Sequence, residues 1–375
     1  MATEVINNVP ENTEKENLAK EDAPADNGQT KEVPAEKTEE KVEEKKVEPA
    51  PPKVTVHKPN FEKDIVYLYQ FTRTPLLPST SPYCLKVETW LRLAGIKYEN
   101  VDHKAKFRSK KGQLPFVEVN GEEIADSTFI IKELSEKYNK DLDASLTPEQ
   151  KVVAYAVISM IENHLSWVCL WWRAKYPDSV IKGYQVNLQS ALNTRVPNPI
   201  LNFCYKLTAA RKGMKKAKAH GIGVHSQEEI LEFGKNDLRV LSELLSDRPF
   251  FFGDEPTLLD VVAFANLAQV HFIDKEVAHP LRDAMNESFP NLVGLVSRIK
   301  ERAFHDWDDI CSTLDLNAHL PKPIKEVKET KEGTGPAEKQ PLPDEPEKGK
   351  GDEKEKELEK EVDEKGKEKD SEKEK

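Results

Sequence analysis

Cysteine is scarce in this chain. Only Cys84, Cys169, Cys204 and Cys311 occur in 375 residues. They form no Cys-x-x-Cys pair and have no histidine at zinc spacing. A disulfide scaffold, a dithiol redox centre and a metal site are therefore not expected, and the thiols fit a reducing compartment. Aromatic residues are missing from both ends, since every Phe, Tyr and Trp lies between Phe61 and Trp307. Residues 1–60 and 319–375 are rich in Glu, Lys and Pro. They hold too little apolar area to offset a chain entropy of about 1–2 kcal/mol per residue, so both are expected to be disordered tails. The opening Met-Ala-Thr-Glu-Val-Ile-Asn-Asn has no basic start or apolar run. No signal peptide is expected, and the chain reads as cytoplasmic. The longest apolar stretch, residues 152–172, is interrupted by Glu162, Asn163 and His164. It reads as a buried helix, not a transmembrane segment.

Positive charge is outnumbered, with 56 Lys and Arg against 67 Asp and Glu. The net charge is −11, of which residues 1–60 carry −5 and residues 321–375 carry −4. The middle is nearly neutral, and the acidic balance argues against nucleic acid as a partner. One basic run, residues 211–218, stands out. It lacks interleaved aromatics and reads as a solvated helix face, with peripheral contact to an anionic membrane as the alternative, at about 1 kcal/mol per basic residue near lipid.

What is present between the tails divides into two halves. Residues 65–71 are β-branched and aromatic, the pattern of a buried strand. Leu85, Val87, Trp90, Leu91 and Ala94 recur at helical spacing and Gly95 follows as a stop. Residues 98–101 form a candidate short strand. Residues 116–119 and 122–124 flank Asn120-Gly121, a two-residue hairpin turn. Phe129, Ile130, Leu134 and Tyr138 line another helix. From Thr147 to Leu316 only helical periodicity is visible. The expected fold is α/β over residues 61–143 followed by an all-helical domain over 144–318.

Three motifs carry the chemistry. The first is Ser81-Pro82-Tyr83-Cys84, placed after a strand and opening a helix. The second is Gln113-Leu114-Pro115-Phe116-Val117, and the third Ile124-Ala125-Asp126-Ser127. A thiol-disulfide oxidoreductase would place its nucleophilic cysteine where Ser81 stands. Ser81 is also an adequate N-cap, with Pro82 at the favoured first helical position. Cys84 lacks a partner thiol and reads as buried and structural. Asp126 and Ser127 precede a helix and either can cap it. Thr257 with Asp260 three residues on resembles a capping box, a folding device before a long apolar helix. Trp167, Trp171 and Trp172, beside His164, are either core packing or the lining of an apolar pocket.

Strand, Ser-Pro-Tyr-Cys, helix, Leu-Pro-Phe-Val and Ala-Asp-Ser, followed by a helical half, resemble the glutathione S-transferase superfamily with its thioredoxin-like N-terminal domain. The run from Ser81 to Arg92, with Tyr98-Glu99-Asn100-Val101 after it, is similar to the Failed axon connections proteins, the metaxin-like branch of that superfamily. The resemblance implies a cis peptide at Pro115, with Leu114 offering its backbone to glutathione as an added strand. It implies that Asp126 and Ser127 hold the γ-glutamyl end at a helix N-terminus. Ser81 would donate a hydrogen bond to the glutathione thiolate, with Tyr69 at the end of the first strand as the alternative donor. Nine residues, 72–80, separate that strand from Ser81, more than the family places there, and this departure is expected to bury, occlude or re-aim the site. The implied functions are a non-catalytic or weakly catalytic intracellular factor in axon formation acting through protein partners, an active glutathione transferase that conjugates or reduces small electrophiles, or a metaxin-like factor at an organelle membrane. Protein partners would bind through the domain or the charged tails.

Overall fold

The computed structural model describes residues 56–321 apart from Ala105. Most of the two expected tails lies outside the described residues. The N-terminal half contains β1 (Val66–Tyr69), α1 (Pro82–Leu93), β2 (Tyr98–Asn100), β3 (Phe116–Val119), β4 (Glu122–Ala125) and α2 (Ser127–Tyr138). The four strands form one mixed sheet in the order β2-β1-β3-β4, with β1 parallel to β2 and antiparallel to β3. The hairpin closes at Val119 opposite Glu122, leaving Asn120 and Gly121 at φ 52° and 86°. That is the left-handed pair an Asn-Gly turn supplies at low steric cost. Gly95, at φ 66°, ends α1. The Ile96 N–H reaches the Leu91 carbonyl at 3.0 Å, and the Gly95 N–H reaches that of Arg92 at 3.2 Å, a glycine-closed helix end.

One sheet face is covered by α1 and α2 through Val87, Trp90, Leu91, Ile130 and Leu134. The other face, Tyr67, Tyr69 and Phe116, is covered by loop residues including Phe61, Phe107 and Leu114. His57 and Lys58 join this side, their N–H groups donating to the Glu118 carboxylate at 2.7 and 3.1 Å.

The second half is helical: α3 (Pro148–Met160), a π-helical turn (Ile161–Leu165), α4 (Ser166–Lys175), α5 (Asp178–Ile181), α6 (Leu188–Ala191), α7 (Asn198–His220), α8 (Gln227–Leu245), α9 (Leu258–His271), α10 (Pro280–Ser288), α11 (Pro290–Ala303) and α12 (Trp307–Thr313). The run from Pro148 to Lys175 is long and apolar enough to cross a membrane by length and composition alone. Its Ile161, Leu165, Val168, Trp171 and Trp172 nevertheless sit in the core of this half. Helix α9 is buried on nearly every side, as a helix apolar all round must be. Its Val261 reaches the sheet-side core while Val262 and Phe264 belong to the helical core. The two halves therefore share one spine.

The box at the start of α9 forms. The Thr257 N–H and hydroxyl both donate to one Asp260 carboxylate oxygen at 2.8 Å. Asp143, from the segment joining the halves, accepts from the Leu258 N–H at 2.8 Å. Thr257→Ala is expected to remove about 1 kcal/mol and lower the melting temperature by about 2–4 °C. Any ligand affinity at the distant cavity described below should be unaffected. Unchanged melting in differential scanning calorimetry would remove this role from Thr257.

Candidate thiol-peptide site between the two halves

A cavity of about 950 Å³ opens where the sheet domain meets the helices. From the N-terminal half it is lined by Pro82 and Tyr83 of α1, by Lys111, Gln113, Leu114 and Pro115, and by Asp126, Ser127 and Thr128 at α2. The helical half contributes Glu162 and Asn163 from the π turn, Ser166, Trp167, Cys169 and Arg173 from α4, and one face of α7.

The second and third motifs meet at this cavity. The Leu114–Pro115 peptide is cis, as the resemblance implied. No backbone hydrogen bond among the described residues uses Leu114, so its N–H and carbonyl are free to pair with an extended ligand. Asp126 is the N-cap of α2, accepting from the Thr128 N–H at 2.9 Å. Its φ of 88° and ψ of 130° are strained for a residue with a Cβ, at about 1–3 kcal/mol. That strain turns α2 so that its first-turn donors, with buried Ser127, border the cavity. A helix N-terminus of this kind favours a carboxylate. Lys111 stands beside it, its ammonium over the Phe129 ring at 4.5 Å.

The first motif is built differently. Ser81 is the N-cap of α1, its hydroxyl accepting from the Cys84 N–H at 3.4 Å. Pro82 has no N–H to offer. Of the first-turn donors only the Tyr83 N–H is left, and Ser81 itself is not among the residues lining the cavity. Tyr69 is fully buried under the sheet, stacked on Phe116 at 4.3 Å, and donates its hydroxyl to Glu118 at 2.7 Å. Burial, reinforced by that carboxylate, pushes its pKa far above the usual tyrosine value. It does not line the cavity. Cys84 is buried, and burial pushes its thiol up to about 11. Cys169 borders the cavity, yet burial raises its thiol to about 11 as well.

The long connection of residues 72–80 does not line the cavity. It is wedged into the seam between the halves. Leu77 is buried in the helical core. The carbonyls of Ser79 and Thr80 accept from Gln269 and Arg173 at 3.0 and 2.7 Å. Arg73 reaches into α1 and grips Glu88 with two bonds of 2.6 and 2.7 Å. The insertion thus fixes the start of α1 in place, with Ser81 turned into its own cap.

Several contributors were not singled out from sequence. Tyr83 was read only as part of a motif, although it projects from α1 to the cavity wall. Burial, with Glu162 nearby, raises its pKa, so its hydroxyl stays protonated and can donate. Glu162 is positioned by the π turn and holds Lys86 of α1 at 2.7 Å, and no side-chain periodicity announces a π turn. The tryptophans divide. Trp171 and Trp172 are core, while Trp167 lines the cavity and stacks on His220 at 4.0 Å. His164 is paired with Asp237 at 2.7 Å. Among the described residues no three His, Cys, Asp or Glu side chains are grouped to hold a metal ion.

Comparison with known proteins agrees with this architecture. The glutathione S-transferase N-terminal domain family matches residues 82–179. The glutathione S-transferase C-terminal domain family matches residues 234–299. The chain is 70% identical over 289 residues to Failed axon connections of Drosophila melanogaster, covering 76% of this chain and 69% of that protein. It is 28% identical over 246 residues to isoprene-epoxide–glutathione S-transferase of Rhodococcus sp. (strain AD45), covering 64% of this chain and 99% of that enzyme. Metaxin-2 of Mus musculus is 24% identical over 242 residues, covering 64% of this chain and 89% of that protein.

Proposed function

Because the chain belongs to the Failed axon connections family, in the metaxin-like branch of the glutathione S-transferase superfamily, we propose that its cavity binds glutathione or a similar thiol peptide without activating the thiol. One observation carries this reading. The peptide-holding half of the site is open, whereas the candidates the three motifs and β1 offered for ionising a thiol are committed elsewhere: Ser81 to its cap, Tyr69 to Glu118, Cys84 to the core. Leu114 would pair with the cysteinyl backbone. The α2 N-terminus with Ser127 and Lys111 would take the γ-glutamyl carboxylate, and Asp126 its amine. A serine transferase aims a hydroxyl and a helix N-terminus at the sulfur. Here the Ser81 oxygen accepts from the Cys84 N–H, and neither residue lines the cavity.

The same reading makes the protein a cytoplasmic factor that acts by binding partners, in the formation of axon connections, as the name of its Drosophila relative suggests. The competing reading is an active transferase, favoured by Tyr83, a protonated hydroxyl on the cavity wall that could face the sulfur. Titration calorimetry of the full chain with glutathione separates them when paired with a conjugation assay. Binding is expected, weakened at least about tenfold by Ser127→Ala, the scale of a lost hydrogen bond to a charged group. Turnover is expected to be slow and insensitive to Ser81→Ala. Brisk turnover that falls with Ser81→Ala or Tyr83→Phe would establish the transferase, and no binding at all would remove both readings.

A further inference from the structure

Acidic residues make up 67 of the 375 in this chain, yet residues 179–227 contain none, against eight Lys and Arg. This segment includes α7, whose opposite faces differ. Tyr205, Ala209, Gly213, Lys216 and His220 recur every three or four residues and line the cavity. The outward face, at the same spacing, reads Ile200, Phe203, Cys204 and Leu207, then Arg211, Lys215 and Lys218. Its apolar part is open to solvent, with Ile200 55%, Phe203 63% and Leu207 41% exposed. Val196, just before the helix, is exposed as well. Among the described residues no ion pair engages Arg211, Lys215 or Lys218.

We propose that this outward face of α7 docks on the surface of an anionic lipid bilayer. An apolar patch of large side chains continuing into an uncompensated basic row is the composition that interfacial helices use. The apolar residues enter the headgroup boundary and the cations meet anionic lipid. A nucleic acid would match the cations and leave Phe203 and Ile200 in water. The chain's own tails are poor occupants, because they mix Lys with their acids and contain no aromatic residue. The charge segregation is what decides: a solvated helix face in a nearly neutral folded region has no reason to exclude every Asp and Glu over 49 consecutive residues.

Co-sedimentation of the full chain with vesicles tests this. It should pellet with phosphatidylcholine vesicles containing phosphatidylserine, release as salt is raised, and stay in solution with phosphatidylcholine alone. Each basic residue near lipid contributes about fivefold, so Arg211→Gln/Lys215→Gln/Lys218→Gln should weaken partitioning about a hundredfold. Ile200→Ser/Phe203→Ser should weaken it too, and because both side chains are exposed the melting temperature should not move. Equal behaviour with both vesicle types, or unaltered partitioning of either variant, would overturn the proposal. So would tight binding of an RNA or DNA duplex by a chain that ignores vesicles.

Discussion

Glu88→Ala should cost the protein about 3–5 kcal/mol, the penalty for breaking a buried ion pair, and leave little folded material at physiological temperature. Glu88 and its partner Arg73 have fully buried side chains. Besides Arg73, the carboxylate accepts from Gln70 at 2.8 Å and from the Tyr98 hydroxyl at 2.9 Å, and Arg92 stands 3.7 Å away. Arg92 in turn binds Asp306 at 2.6 Å, and Arg73 also donates to the Leu316 carbonyl at 2.7 Å. One carboxylate thus joins the insertion, α1, β2 and the segment after α12. Removing it strands the buried Arg73 guanidinium and takes from Arg92 one of its two carboxylate neighbours, whereas Glu88→Gln keeps acceptors and should lose less.

The same group sets a pH dependence. Burial opposes the ionised form of Glu88, but the Arg73 and Arg92 guanidinium groups and the Gln70 amide outweigh it and hold the carboxyl well below the usual range. A carboxyl depressed by folding contributes stability above its unfolded pKa, about 4.3, and loses that contribution as pH falls through the folded value. Urea midpoints should therefore fall below about pH 4 in the parent. They should fall less steeply in Glu88→Gln; parallel pH profiles would contradict the assignment.

Asp260→Ala is the second large effect. Its carboxylate is fully buried and serves the Thr257 N–H, the Thr257 hydroxyl and the Phe251 N–H, the last at 2.9 Å. Alanine leaves three buried donors without an acceptor, at about 1–3 kcal/mol each. The site is the N-terminus of α9, the spine both halves pack on, so the loss should spread to the sheet as well as to the helices. Near-ultraviolet circular dichroism and melting should both collapse, while Asp260→Asn, with one acceptor oxygen retained, should fall between. A variant that melted within a degree of the parent would refute this role.

Much of this could be read from residue order. The β1 run, the Asn120-Gly121 hairpin, the Gly95 stop and the Thr257–Asp260 box are local, and local chemistry fixes them. So is the pairing of Pro115 with Asp126-Ser127, which meets at one cavity because a hairpin joins them. The state of the first motif was not legible. Whether Ser81 caps its helix or faces a ligand depends on residues 72–80, and their course depends on Arg73 finding Glu88 fifteen residues later. Long-range ion pairs leave no periodic trace in sequence. The π turn at Ile161–Leu165 was hidden for a related reason, since it shifts Glu162 toward the cavity without changing the helical pattern around it.

A thiol-peptide cradle that leaves the thiol protonated, as proposed for this cavity, has a direct spectroscopic signature. Nuclear magnetic resonance of glutathione carrying ¹³C at the cysteinyl β-carbon, titrated from pH 5 to 10 with the full chain, reads binding and ionisation together. The signal should move on adding protein, and the bound thiol should titrate near the ordinary cysteine value of about 8.5. A bound thiolate already formed at neutral pH, or a signal the protein leaves unmoved, would contradict it.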